Sequence, residues 1–459
     1  MVNQRSGFGT RKVLLGPEIW KVWGIAWPLI LTRMLDVTVG IVDLKMVGVL
    51  GFESIAAVGM SRQVTMFIMV LMIAISGGAS VLIAHAYGAK DIRRVRYVAG
   101  ASTVYMLATA LFIVTPLGIL SSRAILKSLG GADRVVQLGD SYLRVLFAGS
   151  IFTMFNFAIS AFLLGVGKTK VSLVLLLTVN LLNIGLNYLF IFGPGPFPAL
   201  GVAGAAVGTV AARGMGSIAG LWILVSPRFE LRANLKEGLR WDFDLIKKIL
   251  HLGGPRSLQG IVRNFSRLMT IRVITLLPDA TRVVSAYSVG IQVRMISSFV
   301  GLSFMSAAMA RVGQNMGARD PANAERSGWS AAVMAAAIMT LAAVIFVTIP
   351  DHIMRFFTDD GGVISLGKSF FIIAAISEPI MAFAFALAGA LRGGGDSLSP
   401  FIYASISDLI IVIAAGFLLA VTFNMGFPGI AAALALSALT RAIPTTLKYR
   451  KGAWKRVSL

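Results

Sequence analysis

The amino-acid sequence predicts an all-α integral membrane protein of 12 transmembrane helices arranged as two pseudo-symmetric six-helix bundles. Two observations carry this. Hydrophobic residues make up 57% of the 459 and charged residues only 14%, with a mean hydropathy of +0.82. Apolar runs of about 20 residues, each long enough to cross about 30 Å of hydrocarbon, recur along the length, and twelve of them leave no room for a large soluble domain. The chain is also written twice. GVAGAAVGTVAAR from Gly201 is echoed by GIAAALALSALTR from Gly429, an offset of 429 − 201 = 228 that also carries Arg213 onto Arg441 and Gly165 of GVGKT onto Gly393 of GGGDS. Offsets of 229 and 227 pair Tyr87 of YGAKD with Met316 of MGARD, and Pro28 with Pro255. A membrane chain built from two similar halves characteristically moves a small molecule between them.

The apolar runs place helix 1 near Val22–Leu50, helix 2 near Ala56–Tyr87, helix 3 near Tyr97–Leu120 and helix 4 near Ser141–Val166. Helix 5 follows near Val171–Phe192 and helix 6 near Gly201–Val225. The second half repeats the scheme at His251–Leu277, Val283–Val312, Ser327–Ile349, Gly367–Leu391, Leu398–Val421 and Gly429–Tyr449. Residues 1–226 form an N-terminal lobe and 249–459 a C-terminal lobe. The 227–248 stretch reads as a cytoplasmic linker, in which Phe229, Leu231, Leu235, Leu239, Trp241, Phe243 and Leu245 alternate loosely with charges, as in a segment lying on a membrane surface or in a solvated connector.

Lys and Arg cluster in the N-terminal segment, in the loop after helix 2 (Lys90, Arg93, Arg94, Arg96), in the linker and in the tail (Lys448, Arg450, Lys451), while the opposite side has few. This bias places both termini in the cytoplasm of a multi-pass cell-membrane protein. It also accounts for the net charge of +22 without nucleic acid. The first 20 residues are polar and basic and read as no cleavable signal. With no cysteine and three scattered histidines (His85, His251, His352), thiol chemistry and a histidine-based metal site are excluded. GVGKT lacks the earlier glycine of a phosphate-binding loop, so ATP-driven transport has no support and no cofactor is expected. Methionine and phenylalanine are plentiful, 20 and 28, and Met66, Phe67, Met69, Phe152, Met154 and Phe155 suit either a soft cavity wall or ordinary helix packing.

Several segments together resemble the multidrug and toxic compound extrusion (MATE) family: VDLKMVGVLGFESIAAVGM ending helix 1, HAYGAKD and its repeat QNMGARD, NLLNIGLNYLFIFG in helix 5, PALGVAGAAVGT entering helix 6, and LRGGGDS after helix 10. The resemblance spans both halves and implies a fold of that superfamily (MATE/MOP-type) and a cation-coupled antiporter. Under it, Asp43 corresponds to the coupling acid of the N-terminal half, and Asn183, Asn187 and Thr209 to the groups facing it. Many archaeal and DinF-type members have an aspartate at the position of Asn187. NorM-type members have a glutamate in helix 7, near Arg263. Without that glutamate the chain reads as closer to the DinF type. Plant organic-acid exporters of the family share an aspartate seven residues before the helix 1 motif, as at Asp36.

Ionisable residues inside spans are costly and therefore paired or functional. Asp43 and Asp36 lie seven residues apart on one face of helix 1, with Arg33 close enough to pair with Asp36. Asn180, Asn183 and Asn187 form a stripe on helix 5, able to donate to a carboxylate or offer oxygen to a cation, or to act as packing glue. The chemistry is not duplicated: an offset of 227 turns Asp36 into Arg263 and Asp43 into Thr270, and 228 turns Asn180 into Asp408. Arg263, Arg267 and Arg272 pair with Asp36, Glu378 and Asp408, snorkel, or meet an anionic substrate; Glu378 is either a second proton site or a partner for a helix 7 arginine.

The expectation is therefore a monomeric antiporter exporting organic compounds by alternating access. A proton is favoured over sodium as the coupling ion, with any sodium held at Asp43, Asn183, Asn187 and Thr209. A lipid-linked flippase of the same superfamily and an organic-anion exporter are the rival readings, and a membrane enzyme finds no acid–base cluster to support it.

Overall fold

The computed structural model describes residues 16–226 and 235–457, apart from the side chains of 67, 68 and 236. No strand occurs among the described residues. Among the described residues twelve long helical rods stand beside a few short helices: α1 Pro17–Gly48, α2 Phe52–Gly88, α3 Ile92–Ser128, α4 Asp133–Ala148 with Ser150–Gly165, α5 Thr169–Phe192, α6 Val202–Val225, α7 Phe243–Ile274, α8 Ala280–Gly317, α9 Pro321–Thr348, α10 Gly361–Gly393, α11 Leu398–Thr422 and α12 Phe427–Lys451. Ten are long and apolar enough to cross a membrane, and the two parts of α4, bent by 52° at Gly149, make an eleventh. α7 has the length, 32 residues, but carries Arg256, Arg263, Arg267 and Arg272.

Most rods outrun their apolar runs. α1 begins at Pro17 rather than near Val22, and α7 at Phe243 rather than near His251, because polar residues continue the helical hydrogen-bond ladder beyond the hydrocarbon. α3 contains a π turn at Ala110–Val114, and α11 is π-helical over Ser407–Ala415, features invisible to hydropathy.

Apolar burial drives helix association weakly in lipid, so close backbone contact between small residues takes over. A Cβ on Gly204 of α6 would lie 2.1 Å from the Phe190 carbonyl oxygen of α5, and one on Gly208 would lie 2.3 Å from Asn187 Oδ1. The GxxxG step thus lets α6 lie directly on α5. The GVGKT and GGGDS turns are structural: Gly167 (φ 78°) and Gly395 (φ 96°), related by the 228 offset, take the left-handed conformation that ends α4 and α10. Of the candidate wall residues, Met154 and Phe155 are core, whereas Met66, Met69 and Phe152 are exposed.

Packing divides the chain into two units, Met1–Trp27 with Leu258–Leu459, and Pro28–Ser257. The divisions fall at Pro28 in α1 and just past Pro255 in α7, themselves a repeat pair, and each proline removes one ladder hydrogen bond.

In the first unit, Glu18 of α1 is buried and receives Arg311 Nε and Nη2 (2.9 and 3.0 Å) from α8 and Ser327 Oγ (2.7 Å) from α9. In the second, Asp242 caps α7 through the Leu245 N–H (3.0 Å), accepts from the Tyr97 hydroxyl (2.7 Å) of α3, and neighbours Trp241, stacked on Tyr105 at 5.5 Å. Of the amphipathic linker, Phe229 and Leu231 lie outside the described residues, while Leu239, Trp241 and Phe243 are exposed.

The backbone N–H of Leu245 and the Tyr97 hydroxyl hold the Asp242 carboxyl below the usual carboxylate range. A depressed folded value stabilises the fold above the unfolded pKa and is lost as pH falls through the folded one. Asp242→Ala should therefore lower stability by about 1 kcal/mol at neutral pH, with the gap from wild type closing below about pH 4. Thermal melts in detergent at several pH values check this. Gly208→Ala should cost about 1–3 kcal/mol by overpacking, whereas Gly185→Ala on α5, which meets nothing within 4 Å, should not destabilise.

Candidate functional site

The N-terminal cluster is assembled by α1, α5 and α6, all within the Pro28–Ser257 unit. Asn187 Nδ2 donates to Asp43 Oδ1 at 2.8 Å. Asn187 and Asn183, one turn apart on α5, are buried and exchange amide contacts at 3.3 and 3.4 Å. Asn183 Nδ2 also donates to Thr209 Oγ1 (3.1 Å), whose own proton goes to the Ala205 carbonyl (2.8 Å). The four residues expected to act together thus form one connected chain of hydrogen bonds, possible because Gly204 and Gly208 bring α6 against the asparagine stripe.

Asp36 lies on the same helix as Asp43 and is exposed. Asn180 faces it, but Asn180 Nδ2 is buried without a hydrogen-bond partner among the described residues. Arg33, as expected, and Arg213 act on Asp36 electrostatically.

Sequence reasoning missed three members. Arg213 of α6 donates through Nη1 to Thr153 Oγ1 (3.0 Å), and its charge reaches both Asp36 and Asp43. Arg62 of α2 donates through Nη2 to the Gly40 carbonyl (3.0 Å), between the two acids, and also acts on Asp43. Tyr142 of α4 lies within the influence of Arg62, Arg213 and Asp43. Arg213 was detectable as a charge within an apolar run; Arg62 and Tyr142 carry no comparable signal.

This arrangement presents one amide N–H, that of Asn187, to Asp43. The Asn183 and Asn187 oxygens are occupied by each other's nitrogens, and two fixed cations stand nearby. No group of three metal-binding side chains occurs among the described residues.

The C-terminal residues divide between two places. Glu378 is fully enclosed by α8: Arg294 Nε donates to Oε1 (2.8 Å), Ser297 Oγ to Oε2 (2.6 Å), and Arg294 Nη2 braces Ser377 (3.0 Å). Its partner is therefore Arg294, not a helix 7 arginine, and both oxygens are engaged. Asp408, in the π-helical part of α11, pairs with Arg441 of α12, and Ser266 of α7 donates to its backbone carbonyl. Arg263 is exposed and senses Arg441 and Asp408, while Arg267 acts on Tyr287. Neither Glu378 nor Asp408 takes Arg263 or Arg267 as its ion-pair partner, one of the readings offered for helix 7. Thr270, the repeat mate of Asp43, donates to the Ser266 carbonyl (2.8 Å) and meets the Tyr287 hydroxyl.

The MatE family model matches residues 28–189 and 255–426, two blocks whose starts differ by the repeat offset, 255 − 28 = 227. The chain is 28% identical over 445 residues to a probable multidrug resistance protein NorM of Thermotoga maritima, covering 96% of this chain and 94% of that one. It is 24% identical to the uncharacterized transporter YisQ of Bacillus subtilis, over 95% of each. A solved multidrug resistance MATE family transporter of the MOP superfamily, described as outward-facing, shares the fold with a TM-score of 0.88 at 21% identity, over 97% of this chain and 98% of that one. A MOP superfamily transporter from Pyrococcus furiosus Vc1 superposes with a TM-score of 0.87 at 21% identity, over 97% of this chain and 98% of that one. The expected closeness to DinF-type members finds no support, since relatives from Thermotoga maritima and Mesorhizobium japonicum carry the NorM name. That expectation leaned on position 263, and overall similarity is set by the rest of the chain. Two matched blocks covering well over half of the sequence, on an all-α membrane fold, place the chain in the MatE family of multidrug and toxic compound extrusion proteins, multi-pass secondary transporters rather than enzymes.

Proposed function

We propose that the protein is a proton-coupled antiporter that exports organic compounds across the cell membrane as a monomer, with both termini in the cytoplasm. Its moving lobes are read as 1–226 and 249–459, joined by 227–248. The observation that carries the reading is the hydrogen bond from Asn187 to Asp43 within the buried amide chain. The names of the relatives, several of them probable multidrug resistance proteins, support the substrate class.

An ionised Asp43 receives a charge-assisted hydrogen bond from Asn187, and protonation replaces that bond with a weaker neutral one. The link from α1 to the α5–α6 pair therefore loosens when the proton arrives. A proton shifts the equilibrium between two conformations only through different affinity for each, and this difference in bonding supplies it. Arg213, fixed to Thr153 and acting on both acids, keeps the cluster close to neutral while Asp43 is charged. Sodium is disfavoured because the Asn187 amide turns its nitrogen toward Asp43 and because Arg62 and Arg213 oppose a second cation.

Asp43→Asn should abolish efflux of a cationic dye from proteoliposomes under a pH gradient while leaving folding intact. Wild-type efflux in that variant, or efflux driven by a sodium gradient alone, contradicts the assignment. A double-mutant cycle of Asp43→Ala and Asn187→Ala, read by unfolding in detergent, should give a coupling of about 1.5–3 kcal/mol, as for a hydrogen bond to a charged group.

A further inference from the structure

The segment that leads into α7 is seated on the side of α3. Its short helix, Leu235–Gly238, makes backbone contact: a Cβ on Gly238 would stand 2.7 Å from the Gly100 carbonyl carbon and 2.8 Å from the Ala101 nitrogen. Three residues on, the Trp241 ring stacks on Tyr105 at 5.5 Å. The Asp242 N–H donates to the Tyr105 hydroxyl (3.1 Å), and the Asp242 carboxylate accepts from the Tyr97 hydroxyl (2.7 Å).

These contacts fix a depth. Tyr97 opens the apolar run of α3, and Gly100 lies three residues further, about 5 Å along a helix that rises about 1.5 Å per residue. The segment is therefore held just inside the end of a membrane span, not out in the water beyond it. What that depth faces is visible on α3 itself. Phe112 and Leu117, further along, are 72% and 61% exposed, as side chains turned to lipid are. Nearer its start α3 is buried from Val98 to Thr103, and the 235–243 segment supplies part of the cover. That cover turns its own apolar side chains outward: Leu239, Trp241 and Phe243 are 68%, 58% and 77% exposed.

Charge does not explain this surface. Residues 235–248 hold four Lys or Arg against three Asp or Glu, a net of 4 − 3 = +1. Electrostatic docking on an anionic leaflet takes about 4–8 clustered cations. Asp242 is also committed to Tyr97 and to the first turn of α7. What the segment offers outward is apolar contact.

We propose that Leu239, Trp241 and Phe243 insert into the headgroup–acyl boundary of the leaflet on their side of the membrane, and that their partner is lipid whatever its headgroup charge. Aromatic rings beside Leu and Phe suit that boundary, where one end of a side chain is apolar and the other wet. The connector is then a strap fixed on both faces, to α3 by Gly238, Trp241 and Asp242, and to lipid by its outward side chains. This holds whichever ion and cargo the antiport reading assigns.

The chain has no cysteine, so one introduced thiol carries one nitroxide label. In phosphatidylcholine nanodiscs, power-saturation electron paramagnetic resonance compares access of oxygen, which concentrates in lipid, with that of a nickel chelate, which stays in water. Labels at Leu239→Cys and Phe243→Cys should show an oxygen-to-nickel ratio about fivefold above that at Arg93→Cys, in the first turn of α3, and approach that of Phe112→Cys. Adding phosphatidylglycerol should leave the ratio unchanged. A ratio equal to that at Arg93→Cys marks a solvated connector and overturns the proposal. Low access to both reagents, which marks cover by protein, overturns it too, as does a raised ratio that requires phosphatidylglycerol. A second measurement needs no label. Trp241→Phe should remove emission that brominated phosphatidylcholine quenches and iodide does not; loss of iodide-quenched emission instead contradicts the proposal.

Discussion

The close approach of α5 and α6 through Gly204 and Gly208 is the constraint on which the N-terminal cluster depends. In hydrocarbon, helices gain little by hiding apolar side chains from each other. Contact at the glycine step lets Asn187 Oδ1 occupy the space a Cβ at 208 would fill. From there the Asn187 nitrogen reaches Asp43, Asn183 reaches Thr209, and four polar groups inside a membrane span satisfy one another. At this seam the glycines have no polar side chains of their own, yet they set the positions of the groups that do.

The rest of the molecule follows a related rule. Acids are held by arginines from other helices, as Glu18 is by Arg311 and Glu378 by Arg294. Such pairs are strongly destabilised when one partner is removed, because an unpaired charge is left behind. They tie α1 and α10 to α8. Asp43 differs from these two acids, being held by a neutral amide at bonding distance with its cations further off. The proposed proton coupling requires a charge state that can change, which such a partner permits.

Much of this was legible in the sequence, and the limits have a physical cause. Apolar runs and the 228-residue echo located the twelve rods, and the spacing of Asn183 and Asn187 put both on one face of α5. Spacing describes neighbours on one helix. It cannot say that Arg294, 84 residues from Glu378, closes over it, or that Arg62 reaches Gly40 across a helix pair. Hydropathy located cores and not ends, so α1 and α7 begin earlier than their apolar runs, and the bend at Gly149 went unread. The repeat marked Arg213 and Arg441 as equivalent, but only the fold shows one acting on two acids of α1 and the other paired to Asp408.

The central claim is that Asp43 gains and loses a proton as the transporter works. Infrared difference spectra of the reconstituted protein, recorded as substrate is added at a pH where the empty transporter holds the proton, read carboxyl protonation directly. The account predicts that substrate addition removes a protonated-carboxyl band and raises a carboxylate band, and that both changes vanish in Asp43→Asn while persisting in Glu378→Gln. Carboxyl bands that change equally in wild type and Asp43→Asn would contradict it.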